Sequence, residues 1–169
     1  MKLFAIILFL SCAVSAHKKS EHREHAIHAH GAGALGIAFE GTKGSIEFKI
    51  PSESIFGFEY KAKSDQDKKT RDDALAKLEN KISEMLEFDP SLNCKIQKEK
   101  IEVVAETSKH SDVVATYSVM CDKSPVGSEV TFNFQKQFPK IKGLGVQFIA
   151  DNMQKSVEAT KNNTKLPLR

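Results

Sequence analysis

Residues 33–51 read GALGIAFEGTKGSIEFKIP, and this stretch decides the fold class. Leu35, Ile37 and Phe39 alternate with small residues, and a second alternating run ends at Pro51. Strict alternation is typical of a strand that buries one face. Because a glycine-containing turn separates the two runs, the stretch predicts a β-hairpin whose second strand ends at the proline.

The downstream chain predicts one helix and further strands. Ser64 with Asp67 resembles a capping box, and an apolar stripe at 3.6-residue spacing runs from Leu75 to Leu86, so we expect one long amphipathic helix over residues 64–88. Alternating apolar residues return in four later stretches, at 94–105, 113–121, 130–134 and 144–148. Since short connections favour antiparallel pairing, the predicted fold class is α+β. It combines an antiparallel sheet of about six to seven strands with one long helix packed on a face.

Composition excludes several classes of protein. The chain has 169 residues, 28% charged and 40% hydrophobic, which are ordinary proportions for one globular domain. Its 25 Lys and Arg against 22 Asp and Glu form no concentrated basic stripe, which argues against a nucleic-acid partner. Residues 31–36 match G-x-G-x-x-G, but they lead into a strand rather than a helix, so we expect no nucleotide binding.

The N-terminus has the pattern of a secretory signal peptide. Lys2 is followed by the short apolar run 3–10 and by small residues that end at Ala16. The run is too short to span a bilayer, which takes about 20 apolar residues. We therefore expect a signal peptide at 1–16 cut after Ala16, a His-rich flexible tail at 17–32, and a single domain at 33–169 that is not embedded in a membrane. A retained anchor, or a lipoprotein modified at Cys12, are the weaker alternatives.

Removal of the signal peptide leaves two cysteines, Cys94 and Cys121. An even pair in an exported chain is typical of one disulfide bond. Two metal-ligating thiolates are the alternative, but the chain has no C-x-x-C spacing.

The distribution of histidines indicates metal binding. Five of the six lie in the tail, at positions His17, His22, His25, His28 and His30, and the sixth is His110. The His28-Ala29-His30 unit is suited to bind one ion, because side chains two residues apart in extended backbone share a side. Asp112, Glu59 and Glu40 are candidate carboxylate donors. Imidazole suits Zn²⁺ but also Cu²⁺ and Ni²⁺, so residue type leaves the metal open.

Catalytic signatures are missing from the sequence. It contains neither G-x-S-x-G nor H-E-x-x-H, and most of its histidines lie outside the predicted domain. We therefore expect no enzyme. The alternatives are an envelope module whose tail only buffers metal and, third, an exported hydrolase.

An ordered set of short motifs resembles the ZrgA-like zinc-regulated periplasmic proteins, a bacterial family. The matching pieces are His28-Ala29-His30-Gly31, Ala34-Leu35-x-Ile37-Ala38-x-Glu40-Gly41, Ile46-Glu47, Pro51, Ile55-Phe56-Gly57-Phe58-Glu59, Cys94, His110-Ser111-Asp112, Ala115, Tyr117, Cys121 and Phe138-Pro139. The resemblance implies a periplasmic protein that is made under zinc limitation, binds Zn(II) and supports a high-affinity zinc importer.

The same resemblance implies a ligand set of His28, His30 and His110, with Asp112 beside them. Two departures stand out: the family's Gly-Phe-Glu is usually followed by His, where this chain has Tyr60, and a His-rich insert common in mid-chain is missing. We expect a zinc-capturing accessory protein whose tail feeds an ordered site. Its partner would be a zinc ABC importer or the binding protein of that importer.

Overall fold

The structure is a computed structural model that describes residues 31–105 and 110–169. The predicted signal peptide therefore lies outside the described residues. The strands are β1 (Ala32–Glu40), β2 (Lys43–Pro51), β3 (Leu86–Phe88), β4 (Lys95–Ala105), β5 (Ser111–Met120), β6 (Glu129–Phe132), β7 (Gly143–Ala150), β8 (Met153–Ala159) and β9 (Thr164–Pro167). The helices are α1 (Ser52–Phe56), α2 (Asp65–Asn80), α3 (Ile82–Met85) and α4 (Phe134–Gln137), and a 3₁₀ turn covers Pro90–Leu92. Among these helices, none is long and apolar enough to cross a membrane.

The strands form two sheets, so the protein is mostly β rather than α+β. The larger sheet has the order β4-β5-β2-β1-β7-β8, and the smaller one has the order β3-β6-β9. The predicted hairpin is present, with Leu35 opposite Phe48 and Ile37 opposite Ile46. The prediction of an antiparallel sheet is wrong for one pair of strands, because β1 and β7 run parallel. A parallel pair needs a crossover connection, and here that crossover contains most of the chain.

The long amphipathic helix predicted over residues 64–88 is wrong in length and in character. Its start is confirmed, since the Ser64 hydroxyl accepts from the backbone N–H of Asp67 at 3.0 Å. The helix ends at Asn80, and Lys81 leaves helical geometry with φ −114° and ψ 11°. Leu78 is the one buried residue of α2. The later residues of the stripe, Ile82, Met85 and Leu86, belong to α3 and β3, and their spacing mimics one helix because both segments also face the core.

The core lies between the larger sheet and the elements that cover one of its faces. Phe48 of β2 stacks on Phe134 of α4 with ring centroids 5.4 Å apart. Phe39 of β1 contacts Phe88 of β3 at 5.6 Å and Phe148 of β7 at 5.9 Å. These aromatic contacts join the two sheets into one apolar interior, which buries one face of the predicted hairpin.

The disulfide prediction is confirmed by the bond between Cys94 and Cys121. Cys94 directly precedes β4 and Cys121 directly follows β5, and those strands pair with Lys95 opposite Met120. The bond therefore fastens β4 to β5 at one end. It also removes both thiols from the donors available to a metal ion.

Candidate metal site

The central feature of the candidate site is a contact between His110 and Glu59, two of the predicted ligands. Nδ1 of His110 lies 2.7 Å from Oε2 of Glu59. The histidine side chain is 56% exposed, whereas the glutamate side chain is only 12% exposed. A carboxylate that accepts from one ring nitrogen fixes the orientation of the imidazole, and Nε2 then points away from it. The pair thus presents an oriented nitrogen donor at the surface.

Ser111 fixes the backbone that carries both partners. Its hydroxyl donates to the carbonyl oxygen of Glu59 at 2.8 Å, and the hydroxyl of Ser52 lies 3.0 Å away in the same network. Both serines are buried. The residue pattern did not predict this role of Ser111. The available signal was a serine at the start of an alternating run and directly beside a candidate ligand.

Asp112 lies two residues beyond His110 and forms an ion pair with Lys49. The Nζ of Lys49 is 3.1 Å from Oδ2 of Asp112, whose residue is 4% exposed. A metal at Asp112 would have to compete with this ammonium group. The carboxylate therefore acts first as a structural group that connects β5 to β2 across the sheet.

The tail histidines His17, His22, His25, His28 and His30 lie outside the described residues. Within residues 31–105 and 110–169, no cluster of three or more His, Cys, Asp or Glu side chains is placed to hold an ion. Glu40 is exposed at the far end of β1, about 26 Å along the strand from Ala32. The described domain thus contributes a donor pair rather than a complete coordination shell.

The start of β1 lies at the same edge of the sheet as this pair. Asp112 pairs with Pro51, and the β1–β2 register, continued by two residues, brings Ala32 opposite the same proline. Neighbouring strands are about 4.8 Å apart, so Ala32 and Asp112 are separated by about 10 Å. The chain that precedes β1 therefore enters the fold two strands from the start of β5.

Gly31 fixes the path of the chain at that entry. Its carbonyl oxygen accepts from the backbone N–H groups of Lys142 at 2.8 Å and Gly143 at 3.2 Å. Its φ is +90°, and a Cβ would lie 2.9 Å from Cγ of Lys142 and 3.0 Å from the carbonyl oxygen of Lys140. Only glycine satisfies this combination of positive φ and close approach.

Tyr60, which stands where the family resemblance predicts a histidine, faces away from the pair. Its ring stacks on Phe58 with centroids 4.6 Å apart, and its hydroxyl lies 3.4 Å from Oδ1 of Asp67 in the first turn of α2. Glu59, which lies between Phe58 and Tyr60 in the sequence, contacts His110 instead. A side chain at position 60 is therefore directed to α2 rather than to the imidazole.

Comparison with known families gives one result. The model of a family described as "ZrgA family zinc uptake protein" matches residues 27–168. This span contains His28, His30, Glu59 and His110, and it leaves out the first three tail histidines. A search of the curated proteins finds no significant match.

Proposed function

The chain belongs to the ZrgA family of zinc uptake proteins, and on that premise we propose that it is a periplasmic accessory protein that captures Zn(II) and supports high-affinity zinc uptake. It is exported by the signal peptide at residues 1–16 and is not an enzyme. Its partner is a zinc ABC importer or the binding protein of that importer. The zinc ion is the cargo of this protein.

The observation that carries the proposal is the His110–Glu59 contact at the edge where β1 begins. His30 is bonded to Gly31, so their Cα atoms are one step of about 3.8 Å apart. The H-x-H unit is therefore connected to the domain at the edge where β5 begins, two strands away from β5. One ion bound by His28, His30 and His110 has three imidazole ligands, with Glu59 either orienting His110 or completing a tetrahedron. His17, His22 and His25 raise the local concentration of ligands along the tail.

The donor chemistry suits zinc, the metal that the family description names. Imidazole nitrogen and carboxylate oxygen, without thiolate, form the ligand set of many zinc sites with an exchangeable position. Both cysteines of the domain are held in the disulfide. An incompletely closed coordination shell suits a protein that passes its ion on, since a closed Cys₄ or Cys₂His₂ shell is typical of a structural zinc.

Calorimetric titration of tag-free mature protein with Zn²⁺ tests the site. The double variant His28→Ala/His30→Ala and the single variant His110→Ala should each weaken zinc binding by at least about tenfold, because each removes direct ligands. The matched control, His22→Ala/His25→Ala, removes two tail imidazoles and should retain the affinity of the wild type. Unchanged affinity in both test variants would rule out the site.

Glu59 can be tested separately. If it only orients His110, Glu59→Gln keeps an oxygen that accepts from Nδ1–H and should cost less affinity than Glu59→Ala. If Glu59 is itself a ligand, the two substitutions should weaken zinc binding equally. Either result leaves the histidine requirement intact.

The second candidate is an envelope interaction module whose His-rich tail only buffers metal. It is favoured by the position of β4, which is the outer strand of the larger sheet among the described residues and carries Val103 with 39% exposure. Deletion of residues 17–27 distinguishes the two functions, because a domain site survives it and a tail buffer does not. Weak zinc binding by both the full and the shortened chains would favour the module.

A further inference from the structure

The two cysteines of the disulfide differ in accessibility. Cys121 is 4% exposed, whereas Cys94 is half-buried and lines a cavity of about 520 Å³. Ile96 lines the same cavity, and Lys95 between them points to the other face of β4, since side chains alternate along a strand. A reagent that enters the cavity therefore meets Cys94 first.

The cavity lies between the start of β4 and the smaller sheet. All three residues of β3 line it, together with Glu129 and Thr131 of β6 and Lys165 of β9. Its volume is in the range of pockets that take small molecules. The space beside Cys94 thus admits a small thiol or the side chain of a reactive cysteine.

The backbone holds Cys121 more firmly than Cys94. The N–H of Cys121 donates to the carbonyl oxygen of Thr42 at 3.0 Å, and the N–H of Asp122 donates to the carbonyl oxygen of Leu92 at 2.8 Å. Cys94 lies instead in the short connection between the 3₁₀ turn and β4. This arrangement suits Cys94 as the sulfur that changes partner and Cys121 as the sulfur that stays in place.

The charges that line the cavity are mostly negative. Glu87, Asp89 and Glu129 contribute carboxylates, and Lys165 contributes an ammonium group that lies 2.6 Å from Glu129 and offsets it. Glu87 accepts from the side-chain amide of Asn133 at 2.8 Å, and Asp89 accepts from a backbone N–H at 2.9 Å. Both of these partners are neutral, so two negative charges remain beside Cys94. Such a cavity attracts cations and repels anions.

We propose that Cys94 is the sulfur through which this disulfide exchanges with thiols, and that the cavity selects a thiol in positively charged surroundings. The incoming thiolate attacks Sγ of Cys94, a new S–S bond forms there, and the bond to Cys121 breaks with its electron pair on Sγ of Cys121. A second thiolate attacks the incoming sulfur in this mixed disulfide and releases Cys94. Overall, two thiols become one disulfide, and their two protons end on Cys94 and Cys121.

The partner that fits this chemistry is a thiol–disulfide oxidoreductase with basic groups around its reactive cysteine. Exchange with it would open the covalent connection between β4 and β5. The inference goes beyond the proposed function and requires no metal ion.

The test treats metal-free, oxidised mature protein with cysteamine, which is cationic, and with mercaptoethanesulfonate, which is anionic and similar in size. Each reaction is quenched with acid and N-ethylmaleimide, and peptide mass spectrometry locates the mixed disulfide. We expect the added thiol on Cys94 and the maleimide on Cys121. Each rate is divided by the rate of the same thiol with neutral hydroxyethyl disulfide. On that scale cysteamine should react about tenfold faster than the sulfonate at low salt.

A matched pair of variants tests the charge. Glu87→Gln removes one lining charge, keeps an oxygen that accepts from Asn133, and should reduce the preference for cysteamine about threefold. The control Glu158→Gln removes an exposed carboxylate of β8 and should keep the wild-type preference. High salt should reduce the preference of the wild type as well, so the test stands even if Glu87→Gln fails to fold.

Three results would overturn the inference. The first is a mixed disulfide found on Cys121 or shared equally between the two cysteines. The second is a sulfonate rate that equals the cysteamine rate after division by the model reaction, or an equal effect of Glu87→Gln and Glu158→Gln. The third is exchange that proceeds only at the rate of global unfolding, which its dependence on urea concentration would reveal.

Discussion

Because Tyr117 is buried, we expect the stability of this protein to fall as the pH rises through the alkaline range. The residue is 0% exposed, and its hydroxyl donates to the carbonyl oxygen of Leu78 at 3.2 Å. Burial, and secondarily the charge of Glu79, raise the pKa of Tyr117 well above its ordinary value of 10.0. The folded protein holds the hydroxyl proton of Tyr117 more tightly than the unfolded chain does. The contribution of this residue to the free energy of unfolding is therefore complete below pH 10 and is lost as the pH rises above 10.

The size of the effect follows from linkage. Above the ordinary tyrosine pKa, the unfolded chain has lost one proton that the folded chain keeps, so the free energy of unfolding falls by about 1.4 kcal/mol per pH unit. Between pH 8 and pH 11.5 this residue alone lowers stability by about 2 kcal/mol. Tyr117→Phe loses the hydrogen bond to Leu78, at a cost of about 1 kcal/mol at pH 8. The variant should therefore be less stable than the wild type at pH 8 and more stable at pH 11.5.

Urea unfolding of both proteins at several pH values measures this crossover. Lysines titrate in the same range, but their contribution cancels in the difference between the two proteins. Tyr60→Phe is the matched control, because it removes the other tyrosine of the chain and should keep the wild-type slope. In that variant, absorbance at 295 nm follows the ionisation of Tyr117 alone. Parallel stability curves for wild type and Tyr117→Phe would refute the reasoning.

Three further perturbations have defined outcomes. Replacing Cys94 and Cys121 by serine opens a loop with a sequence separation of 27 and should lower the free energy of unfolding by about 3–4 kcal/mol, measured by urea unfolding. Phe48→Ala removes a buried ring that stacks on Phe134 and should cost about 3–5 kcal/mol in the same assay, and a loss below about 1 kcal/mol would contradict the packing. Tyr60→His should leave zinc affinity unchanged in calorimetry, because position 60 faces α2; a tighter site would show that this side chain reaches His110.

The parts of the fold that depend on local pattern could be predicted from the sequence. The hairpin of β1 and β2 follows from alternation on both sides of one turn, and the start of α2 follows from a cap at Ser64. The end of α2 could not be predicted from the sequence. Apolar residues show the same 3.6-residue spacing in one long helix and in successive short segments that face one core. The parallel pairing of β1 with β7 also could not be predicted, because no local signal connects segments so distant in the chain.

The candidate site likewise has a part that local patterns predict and a part that only the tertiary structure shows. The H-x-H unit and the pair His110 and Asp112 are local patterns, and residue type alone marks these side chains as candidate ligands. The contact between Glu59 and His110 joins residues 51 apart, and only the packing of the loop after α1 against the start of β5 brings them together. The alternation of β4 predicts that Ile101 and Val103 face the core, but it cannot show that β4 is the last strand of its sheet.

Strands β4 and β5 carry the disulfide and the His110–Glu59 contact at opposite ends. The disulfide fastens them where β4 begins and β5 ends, and the His110–Glu59 contact lies at the opposite end, about 30 Å away along a ten-residue strand. At that second end the connection depends on the buried hydroxyl of Ser111 and on the ion pair between Asp112 and Lys49. The proposed zinc site therefore lies at the end of the strand pair that noncovalent contacts hold, opposite the disulfide.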